Sequence, residues 1–345
     1  MKKNLVFKKF VGYAALCLIG GGVVGFALVS CNSSARLAET KSAATTAGTS
    51  GNSGVASKVY VTTDISPAGL MAAYNALEQK PDNATITSGK VAVKMSTGEP
   101  PNSNYLRPDL IKDLVQSVNG TIVESNTAYG GQRAGTALHK QVAKDHGFTA
   151  IAKVDILDEN GSVSLPVVGG AWLSENFVGS HFKNYDYFVV LSHFKGHAMA
   201  GLGGAIKNIS IGIASSEGKA WIHSAGKSRT NPWGGEQDAF LDSMAEAGKS
   251  VVDSLNGRIL YINVMNRLSV DCDCNGNPTE PDMHDIGILA SLDPVALDQA
   301  CVDLVNTAPD GASLIERMTS RNGYRTIDHG AEIGLGSKEY ELIKL

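Results

Sequence analysis

The sequence predicts an α/β fold: a largely parallel sheet with helices on both faces, in one large domain or two closely joined lobes. Strand-like apolar runs alternate with helix-like segments of ten or more residues, and this alternation is typical of parallel sheets. Phe188–Leu191 is a continuous apolar run near the middle of the chain. Such a run fits a central strand, because parallel sheets bury both of their faces.

The first half of the domain contains three strand–helix pairs. The predicted strands are Lys58–Thr62, Lys90–Met95 and Thr121–Ser125, and the predicted helices are Ser66–Gln79, Arg107–Val118 and Gln132–His146. Ser66 is a residue type that caps helix starts, and Pro108 suits a first helical turn. Gly147 is placed to end the third helix.

The second half continues the same alternation. The predicted strands are Tyr185–Ser192, Arg258–Val264 and Asp285–Ala290, and the predicted helices are Ala205–Ile213, Gly234–Leu255 and a segment from Pro294 to about Val305. Asp293 fits the cap of the last helix, since Pro294 then occupies the first helical position.

Residues 1–30 resemble a secretory signal peptide with a lipobox. Four lysines within the first nine residues precede an apolar run from Val11 to Val29, as in an export signal. The sequence Leu-Val-Ser-Cys31 places a cysteine where a lipobox would be lipidated. The alternatives are an uncleaved membrane helix and ordinary cleavage. All three predict a cell-envelope location facing the periplasm or cell exterior, and the first predicts a lipid anchor in the membrane at Cys31.

Residues 31–57 are predicted to form a flexible tether, and residues 58–345 the α/β domain. The tether is rich in Ser, Thr, Ala and Gly, so it cannot bury enough apolar surface to fold. The whole chain carries a formal charge of -4, and the domain with its tether carries -8 because residues 1–30 hold four lysines and no acidic residue. This charge argues against a nucleic-acid partner.

A glycine-rich turn after the central strand is the strongest candidate site. His193, Lys195 and His197 follow the strand, and then come Gly201, Gly203, Gly204, Lys207 and Asn208. Ligands bind at the carboxyl ends of strands in open α/β sheets. We expect the start of the following helix and the lysines to bind a small anion, a carboxylate or a phosphate. The alternative is a tight turn with solvated lysines.

Other segments bring further candidates to the same edge of the sheet. Lys94 lies at the carboxyl end of the predicted strand Lys90–Met95, and Arg133 comes after the next predicted strand, so both could line the opposite wall of the site. His223 would add a third imidazole if its segment returns to this rim. Asp298 lies near the start of the last helix, where its carboxylate could orient an imidazole or a lysine of the glycine-rich turn.

Cys272 and Cys274 are the most distinctive cysteines of the domain. Residues two apart in an extended chain point to the same side, so both thiolates could reach one soft metal ion. Zn or Fe, with His223 as a further ligand, is chemically reasonable. The alternatives are a local disulfide and two ordinary reduced thiols.

The chain resembles the bacterial and archaeal family known as domain of unknown function 362. The segments that carry the likeness are Lys94–Pro108, Asn126–Arg133, Ser192–Asn208, Gly218–His223, Asp271–Cys274, Asp285–Asp303 and Ile333–Tyr340. The resemblance implies an α/β fold and brings no settled activity. Many relatives are similar to iron–sulfur proteins, because a ferredoxin-like insert follows the position of His223. Residues 224–244 contain no cysteine, so no ferredoxin-type cluster is expected here.

These observations predict a metal- or thiol-dependent redox-type enzyme that acts on a small anionic substrate. The candidate catalytic residues are His193, Lys195, His197 and Asp298, since an imidazole can move protons near neutral pH. A redox partner would supply or accept the electrons. The alternative function is a non-catalytic lipoprotein that binds a small anion.

Overall fold

An eight-stranded mixed sheet forms the centre of the fold. The computed structural model describes residues 56–78 and 90–345, which belong to one compact unit. The strands are β1 (Ser57–Thr62), β2 (Val91–Lys94), β3 (Thr121–Glu124), β4 (Val154–Ile156), β5 (Ser162–Pro166), β6 (Glu175–Gly179), β7 (Tyr187–His193), β8 (Lys195–His197), β9 (Gly201–Gly203), β10 (Ile259–Met265), β11 (Gly287–Ser291) and β12 (Tyr340–Lys344). The α-helices are α1 (Pro67–Ala76), α2 (Pro108–Ser117), α3 (Thr136–Asp145), α4 (Ala205–Ile209), α5 (Ser216–His223), α6 (Gln237–Leu255), α7 (Pro294–Thr307), α8 (Ala312–Ser320) and α9 (Tyr324–Glu332).

The predicted α/β class with a largely parallel sheet is confirmed. The strand order is β12-β1-β11-β10-β7-β2-β3-β4, and β5–β6 and β8–β9 form two small separate sheets. Strands β10, β7, β2, β3 and β4 are parallel to their neighbours in that order, whereas β11 is antiparallel to both β1 and β10. Lys94 pairs with Val190 of β7 and with Val123 of β3. The carboxyl ends of these three strands therefore meet at one edge of the sheet.

Strand β7 is buried on both faces, as its apolar run predicts. Phe188 and Val190 belong to an apolar core with residues of α4, α6 and α7. Tyr187, Val189 and Leu191 belong to a second core with residues of α1 and α2. The alternation follows because successive side chains of a strand point to opposite faces. Helices therefore cover both sides of the sheet.

The predicted helix ends at Ser66, Gly147 and Asp293 are confirmed. The Ser66 hydroxyl accepts the N–H of Gly69 at 3.2 Å and caps α1. Asp293 Oδ1 accepts the first two N–H groups of α7, at 2.9 and 3.0 Å. Gly147 has a φ of +86° directly after α3, a conformation that glycine adopts without strain.

The helix predicted for residues 205–213 is wrong in length. Helix α4 ends at Ile209, and Gly212 lies against the carbonyl of Asn208, where a Cβ would come within 2.2 Å of the oxygen. The chain therefore turns back instead of continuing the helix. The two small sheets and the helices α5, α8 and α9 were not predicted, because these segments are short.

The predicted signal peptide, its lipobox at Cys31 and nearly all of the tether lie outside the described residues. Ser57, the last residue assigned to the tether, already belongs to β1. Within residues 56–78 and 90–345, no helix combines the length and the apolar character that crossing a membrane requires.

Candidate functional site

A cavity of about 100 Å³ opens at the carboxyl edge of β2, β3 and β7. The charged side chains that line it are Lys94, Glu124, Arg133, Lys207, Lys219 and Asp273, and both Cys272 and Cys274 lie in its wall. One water needs roughly 10–15 Å³ by the same measure, so the cavity has room for a small molecule of several non-hydrogen atoms. Four cations against two carboxylates favour an anionic ligand.

The structure places nine of the predicted site residues in this lining and five elsewhere. The lining residues are His193, Lys94, Arg133, Gly203, Gly204, Lys207, Asn208, Cys272 and Cys274. The predicted residues that do not contribute to the lining are Lys195, His197, Gly201, His223 and Asp298. The sequence thus located the cavity, but five of the residues that it assigned to the site lie outside the lining.

Lys94 and Asn208 join β2, β7 and α4 at the floor of the cavity. Lys94 Nζ donates to the Met95 carbonyl at 2.8 Å and to Asn208 Oδ1 at 2.9 Å. The Asn208 amide in turn donates to the carbonyls of Lys94 and Leu191. Burial lowers the pKa of Lys94 to about 7. Its ammonium group is thus held in place, and its charge changes near neutral pH.

Arg133 is held by two carboxylates. Its guanidinium donates to Glu99 and to Glu124, each at 3.0 Å. Glu124 also accepts hydrogen bonds from the Thr97 hydroxyl and the His139 ring. Burial alone would raise the pKa of Glu124, but the charges of His139 and Arg133 hold it well below its usual range. Both members of the ion pair are therefore charged at the cavity wall.

Lys207 and Lys219 differ in how their ammonium groups are satisfied. Lys219 Nζ donates to the carbonyl of Ala214. Lys207 Nζ has no hydrogen bond or ion pair with any of the residues that the structure describes, and its stem passes over Gly203. Burial is the largest cause that lowers the pKa of each lysine to about 8. Lys207 is the cation of the lining that is left for a ligand.

Asp298 has a structural role, which corrects the prediction that it orients an imidazole or a lysine. It is fully buried, and its carboxylate accepts the N–H groups of Ala205 and Ile206 at 2.7 and 2.9 Å. These are the helix-start groups that were expected to bind an external anion, so that part of the prediction is also wrong. A Cβ on Gly204 would lie 2.2 Å from Asp298 Oδ1. The glycine is needed because the carboxylate approaches so closely.

Gly201 serves the packing of the loop. Its φ of +75° favours glycine, and a Cβ there would lie 2.8 Å from the backbone of Gly323. Its predicted contact with a ligand is thus replaced by contact with the segment before α9.

Lys195 and His193 hold Asp273 in place at the cavity wall. Lys195 is fully buried, and its Nζ donates to Asp273 Oδ1 at 2.8 Å and to the Asn104 carbonyl at 2.9 Å. The His193 ring contacts Asp273 Oδ2 at 3.1 Å and the Asn266 carbonyl at 2.7 Å. Burial alone would raise the pKa of Asp273, but these two partners hold it well below its usual range. They thereby fix the residue that separates the two cysteines.

Cys272 and Cys274 are joined by a disulfide. Together with His197 they also form a group whose candidate ligand atoms lie within 4.8 Å of one another. His197 Nδ1 accepts the N–H groups of Ala200 and Met199 at 2.9 and 3.2 Å, so the neutral ring carries its proton on Nε2. Neither the bonded sulfurs nor this tautomer suits a metal ligand.

His223 does not join the cysteine group, contrary to its predicted role as a ligand. Its Nδ1 donates to the Lys219 carbonyl at 2.7 Å, and its ring stacks on Phe240 with centroids 4.6 Å apart. Burial lowers the pKa of His223 to about 4. The ring is therefore neutral near pH 7, and its Nε2 holds a lone pair.

Two carboxylates of the site were missed in the sequence. Glu124 ends β3 and pairs with Arg133, and its place at a strand end was the available signal. Asp273 gives no such signal, because its partners Lys195 and His193 are about 80 residues away in the chain.

Residues 91–303 match the family model described as domain of unknown function (DUF362). The chain belongs to this family. The predicted resemblance is thereby confirmed, and the matched region contains every lining residue named above. A search of the curated proteins found no match.

Two solved structures share part of the architecture at low identity. The lactate racemase apoprotein from Thermoanaerobacterium thermosaccharolyticum is 14% identical, with a TM-score of 0.42, and the alignment covers 72% of this chain and 57% of that one. A protein from Thermotoga maritima is 12% identical, with a TM-score of 0.40, and the alignment covers 68% of this chain and 57% of that one. The chain thus spans less than two thirds of the length of each.

Proposed function

We propose that this family member is a thiol-dependent redox enzyme that acts on a small anionic substrate, tethered outside the cytoplasm by a lipid anchor at Cys31. One observation carries the chemical part of the proposal. The Cys272–Cys274 disulfide lies in the wall of a cavity whose other walls present four cationic side chains. The proposed location rests on the export signal that the sequence predicts in residues 1–30.

The position of the disulfide in the chain favours a chemical role over a stabilising one. A cross-link stabilises a fold mainly by closing a loop in the unfolded chain, which lowers the conformational entropy of that chain. The effect grows with loop length. Cys272 and Cys274 enclose a single residue, so their bond removes little freedom from the unfolded chain. A redox-active pair, by contrast, needs contact with a ligand cavity, which both cysteines have.

The proposed reaction alternates between the disulfide and the dithiol. A dithiol of a partner protein reduces the bond, so two electrons and two protons pass to Cys272 and Cys274. One thiolate attacks an electrophilic atom of the bound anion, and the second thiolate then attacks the first sulfur. The disulfide forms again, and the product leaves with the two electrons and takes up two protons. Nearby cations favour this cycle because they stabilise the thiolate.

The alternative function is anion binding without chemistry. It is favoured by the rigid mounting of Arg133 and Lys94, which several partners hold in place before any ligand binds. This function needs the cations of the cavity and not the cysteines. Substitutions at the two kinds of residue therefore separate it from the redox proposal.

The thiolate character of the reduced pair tests the redox proposal. After reduction of the full chain, iodoacetamide should modify Cys272 and Cys274 at a rate that rises with pH. We expect the midpoint of this rise to lie below the usual thiol pKa of about 8.5. Cys301 is fully buried and should stay unmodified while the protein is folded. Peptide mapping by mass spectrometry measures each rate as a function of pH.

The control for this experiment compares two lysines. Lys207→Gln removes a cation of the cavity and should raise the midpoint, whereas Lys183→Gln removes an exposed lysine elsewhere and should leave it unchanged. If the pH midpoint of the modification lies at or above about 8.5 and neither substitution changes it, a redox role is contradicted. Anion binding then remains as the function.

A further inference from the structure

We infer that the side-chain amine of Lys207 is a covalent site for a carbonyl group, at which a small anionic aldehyde or 2-oxo acid forms an imine. The inference rests on the proposed function of the cavity as an anion site and names a substrate class for it. It also gives Lys207 a role as a nucleophile, which redox chemistry at the cysteines does not require.

The contacts of the three cavity lysines single out Lys207. Lys94 Nζ is tied to a backbone carbonyl and to Asn208 Oδ1, and Lys219 Nζ is tied to the carbonyl of Ala214. Lys207 Nζ has no such partner among residues 56–78 and 90–345. Imine formation removes both protons from the amine nitrogen, so Lys94 and Lys219 would lose the hydrogen bonds that they donate. Lys207, alone among the three cavity lysines, has no such bond to lose within the part of the chain that the structure describes.

The charges around Lys207 favour its neutral amine. Lysines act as nucleophiles where burial or a second cation depresses their pKa. Burial, followed by the charge of Arg133, lowers the pKa of Lys207 to about 8, and Asp273 opposes this shift. The charge of Lys207 in turn acts on the titrating groups of the neighbouring elements, which are Lys94, His197, Lys219 and His223. A useful fraction of the amine is therefore uncharged near neutral pH.

The same surroundings suit a carbonyl compound that also bears a carboxylate. Arg133 is charged and fixed in the lining, so it can pair with a carboxylate while Lys207 meets the carbonyl carbon. Arg133 therefore supplies the anion contact that this class of substrate requires.

The step is balanced without an oxidant or a reductant. The lone pair of the uncharged Lys207 Nζ attacks the carbonyl carbon and forms the C–N bond. The carbonyl oxygen takes up the two protons of the amine nitrogen and leaves as water when the C=N bond forms. The resulting imine withdraws electrons from the neighbouring carbon.

Reductive trapping tests the inference on the full chain with its disulfide intact. The protein is incubated with glyoxylate and sodium cyanoborohydride, and the modified lysine is located by peptide mapping. We expect a single adduct at Lys207, formed at least about tenfold faster with glyoxylate than with neutral glycolaldehyde, a ratio equal to roughly 1.4 kcal/mol of ion pairing. The rate should rise between pH 6.5 and 9, as the amine with a pKa of about 8 loses its proton.

Two variants complete the experiment. Lys207→Arg keeps the cation and should abolish the adduct, whereas Lys183→Arg, at an exposed lysine, should label as the unchanged protein does. The inference is overturned if the unchanged protein is labelled on many surface lysines, or only on Lys94 or Lys219. This outcome is decisive even if the Lys207 variant fails to fold. If no adduct forms but the cysteines react as proposed, the inference of an imine at Lys207 is wrong and the proposed redox function is retained.

Discussion

At the scale of single residues, the cavity combines cations that are fixed by partners with one, Lys207, that has no partner among the residues the structure describes. Lys94 and Arg133 are held by named partners, and Lys207 is not. The sequence predicted all three as ligand-binding residues, because they follow strands that end at one edge of a sheet. It could not predict which ammonium group is left without a partner, since Asn208 and Glu99, which hold Lys94 and Arg133, come from distant segments.

The titration of the lysines predicts how anion binding depends on pH. Burial lowers the pKa of Lys94 to about 7 and of Lys207 and Lys219 to about 8. A bound anion favours the protonated forms, so binding takes up protons and must weaken as the pH rises through these values. We expect the affinity for sulfate to fall at least about tenfold between pH 6.5 and 9, measured by calorimetry.

Sulfate suits this measurement because its charge does not change over the range. Lys207→Gln should weaken binding at pH 6.5 and flatten the pH profile, whereas Lys183→Gln should do neither. An affinity that is constant with pH would show that these lysines do not bind the anion.

At the scale of elements, the turn between β7 and α4 is held by a carboxylate from inside the protein. The sequence correctly predicted β7 and the cap of α7. It wrongly left the start of α4 open to an external anion, because the occupant, Asp298, comes from α7, more than 90 residues later. Capping from a distant helix leaves no local pattern in the sequence.

Gly204→Ala tests this arrangement. The added methyl group would lie 2.2 Å from Asp298 Oδ1, and three donors, including Asn263 Nδ2 at 2.8 Å, hold that carboxylate in place. We expect the free energy of unfolding to fall by about 1–3 kcal/mol, as for other overpacked sites, in denaturant titrations. Gly135→Ala is the matched control, since a Cβ there meets no atom within 4 Å, and it should change stability by less than about 0.5 kcal/mol. Equal effects of the two substitutions would contradict the close approach of Asp298.

At the scale of the whole molecule, the sheet brings reactive and charged side chains from four separate parts of the chain to one edge. Lys94, Arg133, Lys207 and Cys274 stand far apart in sequence and line one cavity. Apolar runs and helix caps were enough to predict the fold class and the edge at which the site lies. The state of the cysteines could not be predicted, because metal binding, a disulfide and free thiols all fit the pattern of two cysteines separated by one residue.

The proposed function requires that Cys272 and Cys274 exchange electrons within an anion-binding cavity. An equilibrium redox titration of the folded protein tests this, with thiol alkylation measured by mass spectrometry and metal content measured on the same sample. We expect one two-electron transition of the pair above about -300 mV, where structural disulfides are usually still oxidised, with Cys301 unchanged and no bound metal. A pair that stays oxidised until the protein unfolds, or two thiolates that hold a stoichiometric metal ion, would contradict the proposed function.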